Sequence, residues 1–182
     1  MNDNFGSKGD ISVLAVKSVR MQEDYTPSSD FVGLAAGGDV PLDGSEEAAS
    51  NLRRLIQFTR DEDKSNRDWA TMALGMYGPD TADVLDALLH AANDSDCDVR
   101  AEAIEALARR RPQLALPLVE RELRNPQCGF GVFEAAGIIA DPSLVEGLKE
   151  FDQDTDAQWI DATVRDAIRA CETGQPVTAW IY

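Results

Sequence analysis

Apolar residues recur along most of this chain at the i, i+3 and i+4 spacing of one helix face. Sustained alternation of apolar and polar residues, which is typical of a half-buried β-strand, does not occur. The pattern predicts eight helices, at 46–58, 66–77, 80–92, 97–110, 113–124, 128–140, 143–151 and 157–172. Prolines near several boundaries support this division, because proline breaks a helix beyond its first turn. Capping boxes are predicted at Ser143–Glu146 and Thr155–Gln158.

The predicted helices repeat at a nearly constant interval. In every second helix, starting with 46–58, two apolar positions align. The first holds Val84, Leu114 and Leu144, and the second holds Leu55, Leu88, Leu118 and Leu148. In the alternate helices they are Ala70, Ala103, Phe133 and Val164, followed by Ala73, Ala106, Ala136 and Ala167. Repetition at this period is typical of stacked helix pairs, none of which buries its apolar face alone. The sequence therefore predicts an all-α solenoid.

Two segments resemble the first helix of bacterial HEAT-like repeats, a family that includes phycobilin-lyase-like proteins. They are Asp98–Leu107 and, more loosely, Asn66–Gly75, while Leu114–Val119 and Pro142–Leu148 are similar to the second helix. The resemblance covers residues 46–172 and implies a right-handed α-α superhelix. It also implies that an arginine after the first-helix start ties its repeat to nearby acidic turns. Arg67 and Arg100 occupy that position, whereas Phe130 and Asp161 replace it later, so the arginine series is expected to end halfway.

The remaining segments lie outside the repeat. We expect an irregular N-terminal extension or cap at 1–45, the solenoid at 46–174 and an apolar tail at 175–182. Ile11–Val19 is apolar and β-branched, which fits a strand or a short helix. Gly33–Gly38 is glycine-rich but lacks the spacing of a phosphate-binding loop. Trp180–Tyr182 is expected to dock on the last repeat, or alternatively to bind a partner.

The charge narrows the classes of partner. A net charge of −16 opposes non-specific binding to nucleic acid. The dense basic run Arg109–Arg111 lies at a predicted helix end, where cations complement the helix dipole. Apolar runs stay shorter than the ~20 residues of a membrane helix. Three cysteines without a C-x-x-C motif favour a reducing compartment. We therefore expect a cytoplasmic protein that binds neither nucleic acid nor membrane.

The sequence offers little catalytic chemistry. His90 is the only histidine, and no G-x-S-x-G motif occurs. Cys97 lies between two aspartates, whose negative charge disfavours a reactive thiolate. We expect no enzymatic activity and no cofactor.

Two acidic runs have the opening spacing of a calcium-binding loop. They are Asp94-x-Asp96-x-Asp98 and Asp152-x-Asp154-x-Asp156. The position that requires glycine for the sharp turn holds Val99 in the first run and Ala157 in the second. Helix capping is therefore the preferred interpretation, and no metal site is expected.

The resemblance implies that the second helix of each pair lines a concave surface. Its outward positions, taken from the repeat register, are Arg53, Gln57, Asp86, His90, Leu116, Glu120, Glu146 and Glu150. The later part of this surface is acidic around Leu116, which favours a basic protein partner, although an ordinary solvated face is the alternative. We predict a non-catalytic protein-binding module. Alternatives are an immunity or inhibitor protein against a basic toxin, a phycobilin-lyase-like chaperone and, less favoured by the acidic surface, a DNA-repair enzyme.

Overall fold

The computed structural model describes residues 25–177, and regular secondary structure in this range is helical. The α-helices are α1 (Asp30–Ala36), α2 (Glu46–Phe58), α3 (Lys64–Tyr77), α4 (Ala82–Ala91), α5 (Cys97–Arg110), α6 (Pro112–Leu123), α7 (Gly131–Ile139), α8 (Val145–Lys149) and α9 (Gln158–Thr173). A 3₁₀ turn, Pro142–Leu144, leads into α8. The eight helices predicted from residue 46 onward are confirmed, with ends that differ by a few residues.

The helices form two layers. Helices α1, α3, α5, α7 and α9 contact one another in sequence and make the first layer. Helices α2, α4, α6 and α8 form the second layer, and each packs against first-layer helices. Direct contacts between second-layer neighbours are sparse. This alternation of stacked pairs is the predicted α-solenoid.

Small residues allow the first-layer helices to approach closely. The alanine column Ala73, Ala106, Ala136 and Ala167 is buried. A Cβ atom at Gly75 would lie 2.9 Å from the Cβ of Ala106, and one at Gly131 would lie 2.9 Å from the Ala101 carbonyl oxygen. The first-helix register predicted from the sequence is therefore confirmed.

Helix α1 lies in the range for which no helix was predicted. Val32 and Ala35 are buried, and α1 packs on α3 as the next member of the first layer. The segment was predicted to be irregular because α1 has only seven residues and is followed by two glycines. Two-layer packing thus begins before residue 46. The predictions for Ile11–Val19 and Trp180–Tyr182 lie outside the described residues.

The predicted register of α6 is wrong by one residue. Ala115 and Val119 are fully buried, whereas Leu114 is 43% exposed and Leu118 is only half-buried. Three leucines at alternate positions do not define one helical face, so the largest apolar residues gave a misleading alignment. The buried face of α6 also includes Glu122, which a hydrophobic pattern assigns to the surface.

Aspartates begin several helices, although not always where the sequence predicted a cap. The carboxylates of Asp63, Asp96 and Asp141 accept backbone hydrogen bonds at the starts of α3, α5 and the 3₁₀ turn. Asp141 therefore replaces the capping box predicted at Ser143. Thr155 Oγ1 accepts from Ala157 N instead of Gln158 N, and Thr155 N donates to the Asp161 carboxylate instead of to the Gln158 side chain. Each cap satisfies backbone N–H groups that have no partner within the helix.

The chain after α9 turns back onto the first layer. Gly174 adopts a left-handed conformation with φ of 65°, which ends α9. Val177 N then donates to the Gly137 carbonyl oxygen at 2.9 Å. The first residues of the predicted tail therefore lie against α7.

Candidate functional site

The predicted partner-binding residues lie on the second layer. Arg53 and Gln57 are on α2, Asp86 and His90 on α4, Leu116 and Glu120 on α6, and Glu146 and Glu150 on and just after α8. Six of these eight are exposed, while Leu116 and Glu120 are half-buried. We call the solvent-facing side of α2, α4, α6 and α8 the second-helix face.

The corrected register changes which α6 residues belong to the predicted rows. Asp86 and His90 each follow a buried residue, Val84 or Leu88, by two positions. The equivalent residues on α6 are Pro117, which is exposed, and Arg121, which is half-buried. The sequence analysis missed both because it aligned α6 through its leucines. The second-helix face thus combines carboxylates with an arginine.

The carboxylates of the second-helix face have weak partners. Glu120 lies 3.8 Å from Arg124 Nη2 and accepts a hydrogen bond of 3.4 Å from the Ser143 hydroxyl. Glu146 lies 3.3 Å from Lys149 Nζ in an exposed pair. Exposed ion pairs of this kind contribute little to stability, so these side chains can exchange partners readily.

The two arginines of the predicted series tie successive turns together. Arg67 Nε donates to Asp94 at 2.8 Å, and its Nη1 donates to the carbonyl oxygens of Asp61 and Glu62. Partial burial acts to raise the pKa of Asp94, but hydrogen bonds from Arg67 and from backbone N–H of Asp96 hold it below its usual value. Arg67 therefore bridges the turns on either side of its helix pair.

Arg100 makes the equivalent contacts one repeat later. Its Nε and Nη2 donate to the Glu122 carboxylate at 3.0–3.2 Å, and its Nη1 donates to the carbonyl oxygens of Asp94 and Ser95. The acidic partner of Arg100 is thus on α6 and not in a turn. At the next two equivalent positions Phe130 packs edge-on against Trp159, and Asp161 accepts from Thr155 N. The arginine series ends after Arg100, as predicted.

Two further arginines hold helix ends in the preceding repeat. Arg110 donates to the carbonyl oxygens of Leu74, Gly75 and Gly78 at the C-terminus of α3. Arg121 donates to the Ala92 carbonyl oxygen and to Asn93 Oδ1 after α4. Carbonyl oxygens at a helix C-terminus generally lack partners within the helix, although Leu74 O also accepts from Gly78 N, so the arginines act as caps supplied from the next repeat. The Arg109–Arg111 run was predicted to complement its own helix, but Arg110 caps a neighbour.

The first acidic run is occupied by structural contacts. Asp96 caps α5, and Lys64 Nζ lies 2.9 Å from Asp96 and 3.0 Å from Asp98. Potential ligand atoms of Asp96, Cys97 and Asp98 lie within 4.8 Å of one another, but Lys64 already supplies a cation there. In the second run Asp152 and Asp154 pair with Arg165, so the capping predicted for them is wrong.

Burial and nearby carboxylates disfavour the thiolate form of the three cysteines. Burial, together with the charges of Asp98 and Asp96, raises the pKa of Cys97. Burial raises the pKa of Cys128 further and that of Cys171 to about 11. A nucleophilic cysteine requires the opposite shift, so these thiols suit a packing role.

The tryptophans of the first layer are packing residues. Trp69 and Trp159 are both half-buried. The Trp69 ring lies 6.4 Å from that of Tyr25, and the Trp159 ring lies 4.7 Å from that of Phe130. Through these ring contacts both side chains contribute to the packing of the fold.

Comparison with known proteins agrees with this architecture. The family model for HEAT repeats matches residues 52–129 and 85–169. This chain belongs to the HEAT-repeat family. HEAT repeats stack helix pairs in the arrangement described above, and the arginine bridges and caps join successive repeats.

Protein YibA of Escherichia coli is similar to part of this HEAT-repeat chain. In strain K12 and in strain O157:H7 it is 30% identical over 91 residues, which is 50% of this chain and 32% of YibA. The X-ray structure of E. coli YibA aligns with a TM-score of 0.51 and 23% identity, covering 76% of this chain and 54% of that one. This likeness supports the fold alone. The chain spans about a third of the curated relatives it matches. Among the described helices, none is long and apolar enough to cross a membrane.

Proposed function

We propose that this HEAT-repeat chain is a non-catalytic protein-binding module of the cytoplasm whose second-helix face holds a basic segment of a partner protein. The observation that carries the proposal is the exposure of carboxylates on separate second-layer helices. Asp86 is exposed on α4, and Glu146 and Glu150 are exposed at α8. Because these carboxylates lie on different helices, they favour an extended or helical segment with several lysines or arginines over a small cation.

The basic residues between these carboxylates offset only part of their negative charge. Most of the Arg121 donors are used in contacts with Ala92, Asn93 and Glu122, and Arg121 shares the buried Glu122 carboxylate with Arg100. Lys149 and Arg124 are exposed and pair with neighbouring glutamates. The face therefore presents an uneven acidic field, which would steer a basic partner and fix its orientation.

Apolar residues in the middle of the face would supply binding energy beyond charge. On α6, Leu114 and Pro117 are exposed and Leu116 is half-buried. Interfaces commonly combine a desolvated apolar centre with a charged rim. The apolar centre, which the sequence predicted at Leu116 alone, therefore also includes Leu114 and Pro117. The proposed ligand is a protein, and not nucleic acid, a membrane or a cofactor.

The test uses the tagged full chain as bait in an extract of its native cell. Captured proteins are identified by mass spectrometry, purified, and measured against the chain by calorimetry at low and high salt. The variant Glu120→Lys/Glu146→Lys/Glu150→Lys should weaken binding about tenfold or more, and salt should weaken wild-type binding in the same direction.

The matched control is Glu62→Lys/Asp156→Lys/Glu172→Lys. It changes the net charge equally but alters exposed acids away from the second-helix face. It should leave affinity within about twofold. Equal weakening by both triple variants, or unchanged binding in the first, would contradict the proposal.

An immunity or inhibitor role is a narrower version, in which the basic partner is a toxin that the chain also inactivates.

A further inference from the structure

A polar cleft of about 340 Å³ opens between the turn that follows α4 and the turn that follows α6. Its lining consists of Asn93, Asp94, Arg100, Arg121, Glu122, Arg124 and Asn125. Three arginines and two acids give this lining a formal charge of +1, in a chain whose net charge is −16. The cleft is therefore a locally basic site at the border of an acidic face.

Both acids in the cleft are already neutralised by arginine. Glu122 is only 2% exposed and accepts hydrogen bonds from Arg100 and Arg121. Asp94 accepts from Arg67, which lies outside the lining and adds another positive charge beside it. These contacts fix the wall of the cleft. When Glu120, which pairs with Arg124, and Arg67 are counted with the lining, four arginines face three carboxylates.

Arg124 is the arginine best placed to take a ligand. Its side chain is 78% exposed, and its ion pair with Glu120 is long, at 3.8 Å. The neighbouring Asn125 accepts from Gln127 N through Oδ1, which orients its side-chain NH₂ as a second donor. A planar guanidinium beside an amide donor matches the two oxygens of a carboxylate.

We propose that this cleft binds a carboxylate of the protein partner, contributed by an acidic side chain or a C-terminus. The identification of the ligand as part of a protein partner rests on the function proposed above, whereas the existence of a carboxylate-binding site does not. A carboxylate is the anion that a protein partner itself supplies, and the Arg124 guanidinium and the Asn125 amide in the lining offer donors for its two oxygens. The partner is then a basic segment with one acidic anchor, which sets its register along the second-helix face.

The test titrates the full isotope-labelled chain with sodium acetate, using sodium chloride at equal ionic strength as the reference. Arginine Nε–Hε and asparagine side-chain amide signals are followed by NMR. Acetate should produce saturable shifts at Arg124 and Asn125 that chloride does not. Arg124→Gln should weaken this binding about tenfold, because a charge-assisted hydrogen bond is lost.

The matched control is Arg169→Gln, which removes a similarly exposed arginine of α9 that pairs with Asp166. It should leave acetate binding unchanged. Shifts that grow linearly without saturation, or an Arg124→Gln variant that binds as wild type does, would overturn the proposal. Tighter binding of inorganic phosphate than of acetate would overturn the carboxylate assignment. Because this titration needs no partner, its failure is separate from failure of the proposed function.

Discussion

The side chain of Glu122 is a buried charge that joins α5 to α6 in the described core. Its carboxylate is buried yet bonded to two arginines from different helices, Arg100 on α5 and Arg121 on α6. Partial burial acts against the charged form of Arg100, but the Glu122 carboxylate holds the pKa of this guanidinium above its usual value. Removal of one partner from such a cluster leaves a charge without compensation in a poorly solvated place.

We expect Arg100→Met to lower the free energy of unfolding by about 3–4 kcal/mol, since Glu122 then keeps only Arg121. Urea denaturation followed by circular dichroism measures this loss. Addition of Glu122→Gln to the same variant should restore part of it, because the buried charge is then removed. The control Arg165→Met breaks an exposed pair with Asp152 and Asp154 and should change stability far less. Equal losses in Arg100→Met and Arg165→Met would contradict this account.

The sequence predicted some of the arginines that join successive repeats and missed others. Arg67 and Arg100 were found because they occupy one repeat position. Arg110 and Arg121 were not predicted as caps because they act on helices about 30 residues earlier in the chain. Contacts between repeats depend on side-chain reach in three dimensions, which residue type and spacing do not specify.

At the scale of helices, close packing leaves different amounts of space for a side chain at different glycine positions. Gly131 begins α7 against the backbone of α5, where a Cβ would lie 2.9 Å from the Ala101 oxygen. Gly33 lies inside α1, where the nearest atom to a Cβ would be Pro27 Cγ at 3.7 Å. One site has no space for a methyl group, and the other accommodates it at ordinary contact distance.

Gly131→Ala and Gly33→Ala should therefore change stability in opposite directions. We expect the first to destabilise the fold by about 1–3 kcal/mol, because the helices must move apart. The second should stabilise it by up to about 1 kcal/mol, since alanine has the higher helix propensity. Thermal and urea unfolding of both variants measures the sign. A stabilised Gly131→Ala would show that the α5–α7 contact is looser than the structure indicates.

From residue 46 onward the existence of each helix was predictable, and the buried face was predicted correctly in every helix except α6. Alanine columns and β-branched residues marked one face of α3, α5, α7 and α9 clearly. In α6 the single-residue connection after α5 and the burial of Glu122 set the facing, and neither appears in a hydrophobic pattern. Because α6 supplies the centre of the second-helix face, Pro117 and Arg121 were missed and Leu116 was assigned too much exposure.

For the whole molecule, stability is expected to vary along the solenoid, because each repeat contacts only its neighbours. Helix α5 has 14 residues and packs against α3, α4, α6 and α7. Helix α8 has five residues and is followed by a connection of eight residues before α9. The arginine bridges join the earlier repeats and are absent at the equivalent later positions, Phe130 and Asp161. The region around α8 is therefore held by fewer interactions than the centre.

Native-state hydrogen exchange should resolve this difference. Amides of α5 should exchange only through global unfolding, whereas those of α8 should exchange through a local opening of lower free energy. Leu148 is fully buried beneath α8, so Leu148→Ala should leave a cavity that accelerates exchange there by more than it does in α5. Arg100→Met should instead accelerate exchange in α5. If wild-type α5 and α8 exchanged with equal free energies and equal denaturant dependence, the described repeats would unfold as one unit, and the arginine bridges would not divide the solenoid into stronger and weaker parts.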